Sequence, residues 1–339
     1  MNHRFLAMAA VIASASFIAA GQAQPSTAKS AAKSATAKSY TPPKTPWGDP
    51  DIQGNGPAQF NIPQQKPVPN AQAPAVVPAP SRVEAGEVVT INPPSYWVEG
   101  GKRTDLLPYM VIDPPDGRMP ALTEQARNIV KAERGGLGPG NHFPDKLDSW
   151  EDFDFYSRCI TRGFPSTMLY TVYNYGNDIT QSPGYVAIRA EMVHEQRVIP
   201  LDGREKPGKA YRSYMGSSRG HWEGNTLVVE TTNLNSQSGY GGGRYTDASK
   251  VTEHFTRTAA DQLNYEATFN DPAVWTKPFT IRYAFKLDAE YKVYEYACHE
   301  GNYMMLGALT AARQLEKEGK DTRVLRGPAG GTPPGGGNQ

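Results

Sequence analysis

The sequence predicts a mainly β fold, an antiparallel β-barrel with an N-terminal extension and a C-terminal helix, and three observations carry that expectation. Between Cys159 and Cys298 apolar residues recur with period two, the spacing that puts alternate side chains on one face of a strand. The runs are separated by short turn-forming stretches, "AAD", "NDP" and "LDAEY", with no helical pattern between them, so neighbouring strands join as hairpins. A long, curled meander of this kind removes its exposed edges by closing on itself; a two-sheet sandwich is the alternative.

Taken in order, the elements begin with a positively charged Asn2-His3-Arg4 and the apolar "FLAMAAVIASASFIAA", closed by Gly21-Gln22-Ala23. That pattern reads as a secretory signal peptide over 1–23, too poor in strongly apolar residues for a membrane span. Residues 24–85 shift to Pro, Ala, Ser, Thr, Lys and Gln, a composition that buries too little apolar surface to offset chain ordering, and read as a disordered linker. An extension over 86–150 carries one helix, "TEQARNIVKAER", with Thr123 as its cap and Gly135-Gly136 as its stop. The barrel domain spans 151–319. Its last element is a helix on which Met305, Ala308, Leu309, Ala312 and Leu315 share one face before Gly319, and the Gly/Pro-rich 320–339 is a disordered tail.

Within the barrel, "YVAIRAEMVHEQRVIPLDG" is read as alternating throughout. Val186, Ile188, Ala190, Met192, His194 and Val198 then face the core, and Arg189, Glu191, Glu195 and Arg197 face solvent. "NTLVVETTNL", "VTEHFTRT", "DQLNYEATFNDP", "FTIRYAFKLD" and "YKVYEYAC" follow as further strands.

The two cysteines, Cys159 and Cys298, in a chain that leaves the cytoplasm predict one disulfide. Closing so long a loop contributes about 4–5 kcal/mol in the chain-entropy model. The sharper alternative, Cys298 as a nucleophile with His299 as its base, meets the difficulty that adjacent strand residues point to opposite faces. His194-Glu195, His221, His254 and His299-Glu300 show no HExxH, CxxC or other close ligand spacing, so no metal is expected, and no cofactor motif is present. "GSSRG", with Ser218 at its centre, matches the formal nucleophile-elbow pattern but is followed by a turn and a strand where the elbow needs a helix. "GYGGGR", Gly239 to Arg244, reads as a mobile loop over a barrel mouth. The net charge of +1 is spread without a basic stripe, which leaves counterion-release binding to nucleic acid nothing to act through.

The polar residues left on predicted inward faces or strand ends form the candidate site. Glu253 and Arg257 share their face with Val251 and Phe255, an arrangement that costs free energy unless the charges pair or serve a ligand. With His194 as base, Glu253 or Glu300 as acid or orienting group, Arg219 or Arg257 as anion stabiliser and His299 at the mouth, the interior suits acid/base chemistry. Trp222, Tyr265, Trp275 and Tyr283 offer stacking surfaces for a small carbohydrate or aromatic compound. A lyase, isomerase or hydrolase is one reading; a non-catalytic, ligand-binding envelope protein is the other. Either takes a small-molecule partner and leaves no membrane span once the signal is removed.

"DPPDGRMPALT", "RCITRGFP", "VIPLDGR", "SSRGHWEGNTLVVETTN" and "YEYACHEGNY" together resemble the signatures of a widespread family of exported bacterial proteins, over most of the chain from about Pro46. The resemblance implies export and brings no catalytic residues with it. The barrel is lipocalin-like or calycin-like by analogy of pattern, and a fold does not fix a function.

Overall fold

The computed structural model describes residues 40–57, 62–67, 108–132, 147–171 and 173–320. The stretch read as a signal peptide, 1–23, the expected helix stop at Gly135-Gly136 and the tail beyond 320 lie outside the described residues. Among the described residues twelve strands and two α-helices follow in chain order. β1 (Gly54–Pro57), β3 (Gly176–Ser182), β4 (Tyr185–Ala190) and β5 (Gln196–Pro200) form a four-stranded antiparallel sheet in the order β1-β3-β4-β5. β2 (Val111–Asp113), β6 (Ser217–Glu223), β7 (Thr226–Thr232), β10 (Lys250–Ala259), β11 (Gln262–Asn270) and β12 (Phe279–Lys286) form a six-stranded one in the order β2-β12-β11-β10-β7-β6. β8 (Gly239–Tyr240) and β9 (Gly243–Arg244) make a separate small hairpin, and the α-helices are α1 (Glu124–Ala132) and α2 (Met304–Lys317).

The mainly β, antiparallel architecture is the one the alternation predicts, with the barrel assembled from two sheets whose ladders do not run on into each other. The sheets meet at two seams, β5 against β6 and β1 against β12. Glycines make both approaches possible. A Cβ on Gly220 of β6 would lie 2.7 Å from Leu201 and 3.0 Å from Ile199 at the end of β5, and one on Gly56 of β1 would overlap the carbonyl oxygen of Lys286 at the end of β12. With no side chain in the way, Asp288 donates its backbone N–H to the Asn55 carbonyl at 2.8 Å, stitching the second seam.

The core lies between the sheets and is filled by rings. In β10 to β12 the inward positions Val251, Phe255, Leu263, Tyr265, Phe269, Phe279, Ile281, Tyr283 and Phe285 are all buried, in the registers Phe255↔Tyr265, Tyr265↔Tyr283 and Phe269↔Phe279. Tyr240, Phe269 and Phe279 stack with centroids 4.7 and 4.8 Å apart, and Trp275 meets Phe279 edge-on at 5.3 Å, the offset and T-shaped geometries that the ring quadrupole favours. "GYGGGR" is thus the β8–β9 hairpin, with Tyr240 buried in the aromatic stack.

Three expectations on boundaries need correction. The stretch read as linker contains β1 and the fully buried Ile52, because a segment this poor in apolar residues still gains an edge of β3 to pair with. The extension contributes β2, which pairs with β12, so it belongs to the larger sheet. "YKVYEYAC" forms no strand; residues 288–303 run without regular structure across the outside of the smaller sheet. Both helices are where the sequence puts them, with Thr123 Oγ1 accepting the Ala126 N–H at 3.1 Å at the start of α1. Among the described residues no helix is long and apolar enough to cross a membrane.

Candidate functional site

Inside the barrel the polar groups lock one another. Glu253 faces inward with Val251 and Phe255, as its parity predicts, and is 0% exposed. Its partner is Arg197 of β5, which donates Nη1 to Oε1 at 2.9 Å and Nη2 to Oε2 at 2.7 Å. Tyr265 donates to Oε1 and Thr231 to Oε2, each at 3.0 Å, while Arg197 also reaches Ser218 Oγ at 3.0 Å and lies over the Phe164 ring at 4.6 Å. Burial works against the charged guanidinium, and the Glu253 carboxylate outweighs it, leaving the Arg197 pKa above its ordinary value. Burial also raises the Tyr265 phenol well above its usual range, with the Glu253 charge adding to it. Every oxygen of the carboxylate is engaged within the chain, and a bidentate fork of this kind is a structural fastening.

The partner of Glu253 is therefore not Arg257, which is half-buried and donates to the Asp51 and Ala260 carbonyls. The reason is an inversion of strand parity. "YVAIRAEMVHEQRVIPLDG" is two strands, β4 and β5, broken at Glu191–Glu195 by a tight turn in which Val193 and His194 have φ of 59° and 44°. After the turn the phase is reversed: Arg197 is buried and Val198 is 59% exposed. His194, expected on the inward face, is exposed on the turn.

That turn borders a second polar assembly on the outer side of the smaller sheet. The Glu191 carboxylate, buried, accepts Asn174 Nδ2 at 2.6 Å and Tyr291 Oη at 2.8 Å; a Cβ on Gly176 would lie 2.7 Å from Glu191 Oε2, so only glycine leaves room for the contact. Glu195 accepts the Thr161 hydroxyl and, at 3.2 Å, the Arg162 backbone N–H. Tyr156 Oη lies 3.0 Å from Tyr173 Oη and 3.2 Å from Tyr296 Oη, with the buried Arg162 guanidinium 5.6 Å from the Tyr156 ring. Burial, then the neighbouring phenols, raises the Tyr156 pKa, and burial first of all pushes Tyr296 up to about 12. Burial lowers that of Arg162, against the phenols and Glu195. His194 Nδ1 is 3.2 Å from the Tyr296 carbonyl; a carbonyl only accepts, so Nδ1 is the donor of this contact and Nε2 is the ring nitrogen left facing away from it.

Between the turn and the 288–303 strap is a cleft of about 370 Å³, lined on one side by Arg189, Glu191, His194 and Gln196 and on the other by Val293, Tyr294 and Glu295. Arg189 and Gln196 are ladder partners on the outward face of β4 and β5. Tyr294 is 68% exposed. The Cys159–Cys298 disulfide, with Cα atoms 5.8 Å apart, ties the strap to the wall beside Tyr156. Four non-glycine residues with left-handed backbones, Cys159, Asn174, Val193 and His194, gather in these turns. Each costs about 1–3 kcal/mol and persists only where its surroundings hold it, here through Glu191, Glu195 and the disulfide.

Of the remaining sequence-predicted residues, Tyr265, Trp275 and Tyr283 are core and Trp222 is half-buried against it. Arg219 donates to the carbonyls of Ser218, Arg204 and Glu205, pinning the loop after β5. His299 and Glu300 are exposed in the turn before α2. Asn302, just before α2, donates Nδ2 to the Ser157 carbonyl at 2.7 Å. The structure brings His194 together with Tyr296, Tyr294 and Glu295; it does not bring His194 to Glu253. Sequence reasoning missed Glu191, Arg197 and the three tyrosines, and the one available signal was the density of tyrosine in "DFYSRC", "YTVYNY" and "YKVYEYAC". Among the described residues no three His, Cys, Asp or Glu side chains gather as metal ligands.

No family model matches the chain, nor does any curated protein. Among solved structures it is similar to an abundant heat soluble (SAHS) protein of Ramazzottius varieornatus, at 9% identity over 33% of this chain and 70% of that one with a TM-score of 0.23. A variant of the fluorescent protein UnaG gives 16% identity, the same coverage of both chains and a TM-score of 0.20. Both superpositions are shallow.

Proposed function

We propose that this chain is an exported, non-catalytic binding protein for a small polyhydroxylated molecule, a sugar above all, held in the cleft between the Glu191–Glu195 turn and the strap. The observation that carries the reading is the gathering of left-handed, non-glycine residues in the turns beside this cleft, held there by the buried Glu191, by Glu195 and by the disulfide: backbone strain of this kind concentrates where a surface must be held in one shape. The lining fits a sugar. Arg189 donates, Glu295 accepts, Gln196 does both, and the exposed Tyr294 ring offers an apolar face for the C–H side of a pyranose. The disulfide supports an oxidising compartment, and membership of the exported bacterial family stands as part of the proposal on the motifs given above.

A thermal-shift panel of neutral and acidic mono- and disaccharides tests it. A true ligand at about 100 times its Kd stabilises by about 2.7 kcal/mol and raises the melting temperature accordingly. A panel in which no sugar moves the melting temperature overturns the sugar assignment.

The His194 contact favours a second reading, acid/base catalysis at the same cleft, since an imidazole fixed through Nδ1 presents Nε2 as a base. Its carboxylate partner would be Glu295 on the facing wall, because Glu253 is sealed in the core. Turnover of a bound sugar that disappears in His194→Ala, with binding retained, selects this reading over the first.

A further inference from the structure

We infer that the Cys159–Cys298 disulfide is a redox latch on the cleft: its reduction frees the strap from the barrel wall and takes one side off the site. The functional meaning rests on the cleft being a binding site; the structural statement does not. After Asp288 the strap is fastened lightly. Tyr291, Cys298, Asn302 and Tyr303 donate their backbone N–H groups within the strap itself, to Asp288, Tyr296, His299 and Gly301, so no ladder holds it to the sheet. No residue from Asp288 to Tyr303 is buried. The contacts that reach across are made by side chains: Tyr291 to Glu191, Asn55 to the Tyr291 carbonyl, Tyr296 to Tyr156 and stacked on Tyr173, Asn302 to the Ser157 carbonyl and Cys159 Sγ, and His194 to the Tyr296 carbonyl. Bonds between partly solvated side chains each contribute little, and segments held this way open locally long before the fold does. The disulfide is the one covalent tie, joining positions 139 residues apart. By contrast the six-stranded sheet carries its own aromatic core and is held by ladders that involve none of the strap.

The chemistry is thiol–disulfide exchange with a dithiol reductant. Its first thiolate attacks Cys298 Sγ, which is half-buried where Cys159 is 7% exposed. Cys159 leaves as the thiolate and takes up a proton; the second thiolate of the reductant then displaces Cys298. The disulfide gains two electrons and two protons, and the reductant leaves as its own disulfide. Linkage makes the latch reciprocal: a ligand held between turn and strap resists reduction by the same factor by which oxidation tightens its binding.

Hydrogen exchange read by mass spectrometry on the full chain, oxidised and after dithiothreitol, tests this without any ligand. Exchange is expected to rise by at least about tenfold in 288–303 and in the Glu191–Gln196 turn, with β10, β11 and β12 unchanged, and the Cys159→Ser/Cys298→Ser double variant is expected to reproduce the reduced pattern. Protection of the strap that survives reduction overturns the latch, and so does loss of protection in β10 to β12 along with the strap, which makes the disulfide a support of the whole fold. Because the readout needs no sugar, a failed latch leaves sugar binding standing, and a blank sugar panel leaves the latch standing.

Discussion

Arg197 and Glu253 show how a single residue pair sets both what the interior can hold and what it cannot do. Two opposite charges sit between 0% and 4% exposed, and desolvating them is repaid only by the fork geometry and by the hydroxyls of Thr231, Ser218 and Tyr265 that complete it. Removing one partner strands the other. Glu253→Ala is expected to lower stability by about 3–5 kcal/mol in urea denaturation, whereas the double replacement Arg197→Met/Glu253→Leu is expected to cost far less, since an apolar pair leaves no buried charge. A Glu253→Ala protein of unaltered stability would mean that the network is not closed as described. The same closure removes Glu253 from chemistry: a carboxylate with both oxygens occupied by its own chain has none to offer a substrate.

At the scale of elements, β4, the turn and β5 illustrate what sequence periodicity carries and where it stops. The hairpins β10–β11–β12 were legible because each keeps unbroken alternation against a neighbour, and the same is true of the helical face of α2. The disulfide was legible from the count of two cysteines together with the expectation of export. The β4–β5 inversion was not, because a turn that consumes five residues shifts the phase by an odd number, and left-handed Val193 and His194 carry no residue-type signal. Nor was β1, whose pairing depends on the edge of β3 rather than on its own composition, or the site itself, assembled from 156–162, 173–176, 191–196 and 291–298. Parity can be tested directly. Val198→Lys, on the outward face, is expected to change stability by no more than about 0.5 kcal/mol, while Val186→Lys, fully buried on β4, is expected to prevent folding. The opposite ranking would restore the single uninterrupted strand.

On the scale of the whole molecule, the distribution of tyrosine makes stability depend on alkaline pH. An ordinary tyrosine ionises near about 10, whereas Tyr296 is pushed up to about 12 and Tyr156, Tyr245, Tyr265 and Tyr283 lie above the ordinary value because burial opposes the phenolate. The folded chain holds these protons where the unfolded chain has released them, so their stabilisation is complete below about pH 10 and is lost as pH rises above that, for Tyr296 through about 12. Phenolate absorbance is expected to show two classes, one titrating near the ordinary value and one appearing only with unfolding; a single class comprising all 18 tyrosines would contradict the buried aromatic core. In the proposed function, ligand is held outside the barrel wall, at the turn and strap, and not in the ring-filled interior. Amide chemical-shift mapping with the best-stabilising sugar decides between the two places: perturbations are expected to concentrate in Arg189–Gln196 and Val293–Tyr296, and perturbations centred on Glu253, Tyr265 and Trp275 would put the ligand inside the barrel instead.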